Sequence, residues 1–265
     1  MANTVFFAWQ MDTKPEDNKS FIWSSIVSAC KKCKSETTPE LSPRPEKDTD
    51  GVSGSPNIVQ TIFKKIDGCA LFVADVTFIA KTDSSKYIPN PNVLIELGYA
   101  VKTIGWERTI LVINSAHGKA SELPFDILQH RWPVEYRITN ETIVREKRWN
   151  NLEAVLCDAI SGCEEHSLSR AKNMAISLDT DTLAFVAKNE KKDMIDIQLP
   201  AQTMGQHLTS ALQIASIRRL MDLGAIRVIS NPELGYGWTY DGLNMIKEIY
   251  RLHPHIMMVF RGESG

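Results

Sequence analysis

The sequence predicts a doubly wound α/β domain built on a parallel sheet, followed by a smaller α+β domain. Three observations predict it. Strand-like and helix-like segments alternate from residue 4 to about residue 160, the run Cys69 to Ala74 is almost continuously apolar and is closed by Asp75, and the alternation stops near Glu164. Alternation of this kind implies parallel strands joined by crossover helices. An unbroken apolar run of strand length suits a central strand buried on both faces. At 265 residues the chain is long for one compact domain, and the expected division is residues 1–165 and 166–265.

The elements follow in order. Thr4 to Ala8 is a β-prone run, and Asn18 opens a stretch in which Phe21, Ile22, Ser25, Ile26 and Ala29 recur at helical spacing. Residues 34 to 55 are polar and rich in Pro, Ser, Thr, Asp and Gly, which predicts a long loop with a short second strand near Pro43 to Lys47. Ser55 and Pro56 form an N-cap and first-turn pair for a second helix with the apolar stripe Ile58, Ile62, Phe63 and Ile66, ended by Gly68. After the Cys69 to Ala74 strand, a loop to Asn90 leads through Pro91 into a helix over Asn92 to Thr103. A strand at Thr109 to Ile113, a turn at Leu123 to Leu128, a strand at Trp132 to Tyr136 and a helix at Trp149 to Ile160 complete the domain. Ligands of such sheets bind beyond the carboxyl ends of the strands, so the loops after Ala8, around Asp48 to Gly54 and after Asp75 mark the expected site.

Beyond Glu164 the pattern predicts a helix at Asp179 to Asn189, a strand at Met194 to Leu199 and a helix at Ser210 to Leu223 ended by Gly224. Ala225 to Ile229 and Tyr236 to Thr239 flank the turn segment Asn231 to Gly235 as a hairpin, and Asp241 caps a last helix to about Leu252. Helix, hairpin and helix in this order suggest a winged-helix-like module.

Composition narrows the function classes. Net charge is −2, and the residues after 165 carry 11 Lys and Arg against 10 Asp and Glu, a balance that disfavours a strong nucleic-acid binder. No apolar stretch reaches the length of a membrane span, and the N-terminal Met-Ala-Asn-Thr-Val lacks a basic region followed by an apolar core, so no membrane partner and a cytoplasmic location are expected. Five cysteines, an odd number, favour reduced thiols, and the Cys30-x-x-Cys33 pair has no second pair or histidine cluster at metal spacing. His117, His130 and His166 likewise have no partner at metal or triad spacing, so no metal site is expected.

The chemistry points to Glu96. It interrupts a helix that is otherwise apolar almost all round, on the shoulder of the face formed by Val93, Leu97, Ala100 and Ile104. A carboxylate there is partly desolvated, lies near a helix N-terminus and is placed to meet a cationic centre. The bland account, an ion pair with a basic residue such as Arg108 or a simple complement to the helix dipole, stands beside it. Trp9 and Phe7 either stack on a flat ring or pack in the core. Gln10 and Asp12 are candidates for ribose or amide contacts. Asp75 either faces the pocket or caps the following loop. The loop Asp48 to Ser55 brings Gly51 and Gly54 to a helix N-terminus, where backbone N–H groups can approach a phosphate while Asp48 and Asp50 repel one, so pyrophosphate binding, a mobile gate and a plain turn all stand as readings of it.

The segment Asn90-Pro91-Asn92-Val93-Leu94-Ile95-Glu96-Leu97-Gly98-Tyr99-Ala100 resembles the signature of bacterial TIR-like predicted nucleotide-binding proteins. Phe6 to Asp12, Lys47 to Pro56 and Leu123 to Asp126 are similar to further segments of that family in the same order, and the likeness covers residues 4 to 162. It implies a flavodoxin-like (TIR-like) doubly wound parallel sheet and a NAD(P) glycohydrolase or cyclase that cleaves the nicotinamide N-glycosidic bond. Glu96 is then the catalytic residue, with Phe7, Trp9, Gln10, Asp12, Asp48, Asp50, Gly51, Asp75 and Asn92 as substrate contacts. NAD is a substrate and no cofactor is implied. The resemblance further implies a bacterial antiviral effector that assembles as a homo-oligomer or with a partner defence protein. Asn92 and Val93 stand where the animal NAD-cleaving TIR domains carry an aromatic-Cys pair. Nucleoside deoxyribosyltransferases, with a Glu in a similar E-L-G-Y-A helix, are the alternative enzyme class, and a non-catalytic nucleotide-binding or assembly module is the alternative outside enzymes.

Overall fold

The computed structural model describes residues 3–34, 43–47, 58–130, 132–139, 145–192, 194–195, 204–230 and 234–261. The chain divides into two compact units, Ala2–Glu164 and Glu165–Gly265. In the first, chain order runs β1 (Asn3–Ala8), α1 (Lys19–Lys34), β2 (Pro43–Lys47), α2 (Ile58–Gly68), β3 (Leu71–Asp75), β4 (Phe78–Lys81), β5 (Tyr87–Pro89), α3 (Pro91–Ile104), β6 (Thr109–Asn114), α4 (Phe125–Leu128), β7 (Val134–Tyr136) and α5 (Arg145–Ser177), whose last turns belong to the second unit.

Five strands form one sheet in the order β2-β1-β3-β6-β7, and every neighbouring pair is parallel. Successive side chains of a strand point to opposite faces. Val5, Phe7, Leu71, Val73, Ile110 and Val112 therefore join α1 and α5 in one core layer. Phe6, Ala8, Phe72, Ala74, Leu111 and Ile113 join α2 and α3 in the other. This is the expected doubly wound α/β arrangement, compatible with a flavodoxin-like fold. The edges follow from local sequence. Prolines 43 and 45 lack the N–H that a central strand requires, and β2 lies at one edge; β7, at the other, has only three residues.

Two elements of this unit differ from expectation. The stretch between β3 and Asn90, predicted as loop, holds the antiparallel pair β4–β5, with Phe78 opposite Pro89 and Lys81 opposite Tyr87. Its strands are too short, and too exposed at the outer end, to show an alternating pattern. The helix predicted over Trp149 to Ile160 runs from Arg145 to Ser177.

The second unit contains α6 (Thr180–Asn189), α7 (Met204–Asp222), the antiparallel hairpin β8 (Ile226–Ser230) and β9 (Leu234–Trp238), α8 (Tyr240–Leu252) and α9 (Pro254–Arg261). Of the strand expected at Met194 to Leu199, Ile195 makes one antiparallel bridge to Tyr236, and residues 196–199 lie outside the described residues. So do residues 231–233 of the predicted turn. Helix α9 was not expected, although Pro254 at its first position is a start signal. Thr239 caps α8 by accepting the Gly242 N–H at 3.1 Å, and its hydroxyl donates to the Gly224 carbonyl at 2.6 Å. The approach leaves no room at Gly242, where a Cβ would stand 2.0 Å from the Ala225 carbonyl oxygen. Gly242→Ala is therefore expected to destabilise this unit by about 3 kcal/mol, through backbone displacement rather than loss of a contact. A denaturant melt within ~0.5 kcal/mol of wild type would show that the backbone yields freely.

Candidate functional site

Asn90, Pro91 and the apolar run after them set the geometry of α3. The Asn90 side-chain oxygen accepts the N–H groups of Asn92 at 2.8 Å and Val93 at 3.2 Å, and Pro91 occupies the first helical position, where its missing N–H costs nothing. Val93, Leu97, Ala100 and Ile104 are buried against the sheet, the stripe expected from the helical period. Glu96 stands beside that stripe, half-buried, in the second turn. It lines a groove of about 320 Å³ together with Ile58, Val59, Ile62 and Phe63 of α2 and Asn92 and Ile95 of α3. That volume is at the small end of ligand sites.

The groove walls are fixed to one another. Phe63 stacks on Tyr99 with ring centroids 4.1 Å apart and planes 8° from parallel, and the Tyr99 hydroxyl donates to the Asp67 carboxylate at 2.7 Å. Both contacts join α2 to α3. The rim of the groove is apolar, with Ile58, Val59 and Ile95 each more than half exposed. Arg108 is not a surface charge. It is buried beyond the other end of α3, where its Nε donates to the Ile104 carbonyl at 3.1 Å.

A second set of polar groups closes the carboxyl ends of the three central strands from inside. Asp75, fully buried at the end of β3, accepts the Thr77 N–H at 3.1 Å, the Asn18 amide at 3.3 Å and the Gln10 amide at 3.4 Å. Asn18 also donates to the Thr77 hydroxyl at 2.8 Å, and that hydroxyl accepts the Asn114 N–H at 2.9 Å. The Asn114 side chain donates to the Ile138 carbonyl at 2.9 Å and to the Asn18 side-chain oxygen at 3.1 Å. One cluster thus ties the ends of β1, β3 and β6 to the start of α1.

The sequence-predicted residues separate accordingly. Asn92 and Glu96 share the groove. Asp12 is exposed and joins them through Asn90, whose side-chain N–H group it accepts at 2.6 Å. Phe7 takes the core-packing alternative: it is fully buried in the α1 and α5 layer and stacked on Trp23 at 6.5 Å. Trp9 is half-buried, with the Lys19 ammonium 3.0 Å from its ring centroid. Gln10 and Asp75 are both buried and hydrogen-bonded to one another, and Asp75 caps the following loop, one of the two roles expected for it. Asp48, Asp50 and Gly51 lie outside the described residues. Sequence reasoning missed Asn18, Thr77 and Asn114. Asn114 alone carried a signal, as a polar end to the apolar run Thr109 to Ile113, in the way that Asp75 ends its strand.

Burial pushes the Asp75 carboxyl above its ordinary 3.8, and the hydrogen bonds from Thr77, Asn18 and Gln10 pull it back only in part. Tyr136, also buried and near Asp75, holds its phenol proton well above the usual range and stays neutral. The folded state thus binds more protons at Asp75 than the unfolded chain does. This contribution to stability is complete below 3.8 and is lost as pH rises through the raised folded value. Asp75→Asn is expected to remove that decline, whatever its effect on absolute stability. Urea melts of both proteins between about pH 4 and pH 8 measure it, and identical slopes would show that Asp75 does not titrate differently on folding.

Among the described residues, no three His, Cys, Asp or Glu side chains gather as a metal-binding group, and no helix is long and apolar enough to cross a membrane. Cys30 and Cys33 are buried in the α1 and α5 layer as thiols. No model of a known protein family matches the chain, and no curated protein matches it.

Proposed function

We propose that the Ala2–Glu164 unit cleaves the N-glycosidic bond of a nicotinamide dinucleotide, with Glu96 as the carboxylate that stabilises the sugar cation. One observation carries the reading: a half-buried carboxylate shares an apolar-walled groove with Asn92 in the first turns of α3, which lies between the central parallel strands β3 and β6 in the chain. Apolar walls exclude water and strengthen the field of a charge set among them. The bond between the ribose anomeric carbon and the pyridinium nitrogen breaks with its electron pair leaving on nicotinamide, which departs neutral. Positive charge then develops on the ribose, as in glycoside cleavage, and Glu96 holds it and the adjacent hydroxyls until water adds and releases a proton. The leaving group is already cationic, so no strong acid is needed.

The resemblance of Asn90 to Ala100 to the TIR-like signature supports the same assignment and, with it, a role as an antiviral effector that acts as an oligomer. We read the Glu165–Gly265 unit as a winged-helix-like module, supported by the β8–β9 hairpin after α7 and by the Ile195 bridge that adds a third chain segment beside β9. The test is nicotinamide release from NAD by the full chain at high protein concentration, with Glu96→Gln in parallel. Release by wild type and its loss in the variant support the reading; equal release from both, or none from wild type, overturns it. Free base from another nucleotide, with NAD intact, would move the chain to the deoxyribosyltransferase-like class.

A further inference from the structure

We propose that Gln10 is a positioning residue that links the buried Asp75 carboxylate to the start of α3 and so fixes the direction of Glu96. The chain of hydrogen bonds is continuous. Asp75 accepts the Gln10 amide at 3.4 Å; the Gln10 side-chain oxygen accepts the N–H groups of Asp12 and, at 3.0 Å, Thr13. Asp12 accepts the Asn90 side-chain amide at 2.6 Å, and Asn90 caps α3 through the N–H groups of Asn92 and Val93. Glu96 follows within one turn.

Gln10 suits this role because its amide has two different ends. Its nitrogen donates to Asp75 and to the Thr13 hydroxyl, the latter at 2.6 Å, while its oxygen accepts two backbone N–H groups. Inverting the amide would set donor against donor on one side and acceptor against acceptor on the other. The loop over residues 9–13 is thus held from the core, the loop holds the N-cap, and the N-cap holds the first turn of the helix that carries Glu96. Neither Gln10 nor Asp75 presents a free surface to a ligand, as both are more than nine-tenths buried.

The inference rests on the glycosidic reading of Glu96 for its activity arm only. The full chain is compared with Gln10→Glu, Asp75→Asn, the two combined, and Asp12→Ala. Gln10→Glu sets a second carboxylate against Asp75, and Asp75→Asn sets an amide donor against the Gln10 donor. The combination restores a donor facing an acceptor between positions 10 and 75 with the polarity reversed, while the Asn18 amide stays opposed to the new donor at 75. Asp12→Ala cuts the exposed end of the chain without altering the core, and it carries the test if a buried variant does not fold.

Amide hydrogen exchange at Asn92 and Val93 is expected to quicken about five- to tenfold in Asp12→Ala and Gln10→Glu, the size of one lost cap, with the Gly105 amide at the far end of α3 unchanged. The combined variant is expected to return toward wild type. For nicotinamide release by Gln10→Glu, kcat falls about tenfold or more while KM stays within roughly twofold, because Glu96 is misaimed and buried Gln10 contacts no substrate. Unchanged exchange at Asn92 and Val93 overturns the proposal, as does a rise in KM at constant kcat, which would make Gln10 a substrate contact. If wild type releases no nicotinamide, the glycosidic reading falls and the exchange arm alone decides the positioning role.

Discussion

Glu96→Gln is expected to lower kcat for nicotinamide release by about two to three orders of magnitude while leaving KM nearly unchanged. The substitution keeps the shape of the side chain, removes the charge and replaces one acceptor oxygen with an amide donor. A charge opposite a developing sugar cation acts in the transition state and much less in the ground state, so the loss falls on kcat. The partly buried walls contributed by Ile62 and Phe63, below the exposed rim of Ile58 and Val59, make the effect larger than it would be in open water. Melting of the variant within a few degrees of wild type excludes unfolding as the cause. A loss of less than about tenfold would mean that Glu96 does not face the reacting centre.

The fold was legible where burial on both faces or a strong helical stripe left one solution. Leu71 to Asp75 is buried at every position, and the stripe Val93, Leu97, Ala100 and Ile104 reproduces the helical period of α3. Elements held by few residues were not legible. β4 and β5 have four and three residues, and their pairing is fixed by the Phe78 and Tyr87 rings, 4.8 Å apart, rather than by any alternation. The position of Glu96 beside the apolar stripe of α3 was legible from the helical period, whereas the role proposed for it comes from the resemblance of Asn90 to Ala100. The separation of Gln10 and Asp75 from the groove was not legible, because Gln10 and Asn18 lie far from Asp75 in the chain and only the parallel register brings them together. A polar residue at a strand's carboxyl end marks either a ligand contact or an internal cap. Here the partners decide for the cap.

Asn114→Ala is expected to destabilise the Ala2–Glu164 unit by about 3–5 kcal/mol, more than any single hydrogen bond is worth. Asn114 is fully buried and sits where β6 ends. Its side-chain oxygen accepts the N–H groups of Ala116 at 3.1 Å and Ile138 at 3.2 Å, and its side-chain nitrogen donates to three oxygens, on Asp17, Asn18 and Ile138. Truncation leaves two backbone donors and the Asn18 side-chain oxygen short of a partner in a space closed to water, and each such group costs about 1–3 kcal/mol. The Asn18 amide is then free to turn, which weakens its bonds to Asp75 and Thr77. The damage should therefore spread to the N-terminal end of α1, where exchange at the Ile22 amide, bonded to the Asn18 carbonyl at 2.9 Å, is expected to quicken with the global loss. Denaturant melts and amide exchange together measure both effects. A loss below about 1 kcal/mol would mean that the strand ends are held by the apolar layers alone and that the polar cluster contributes only geometry.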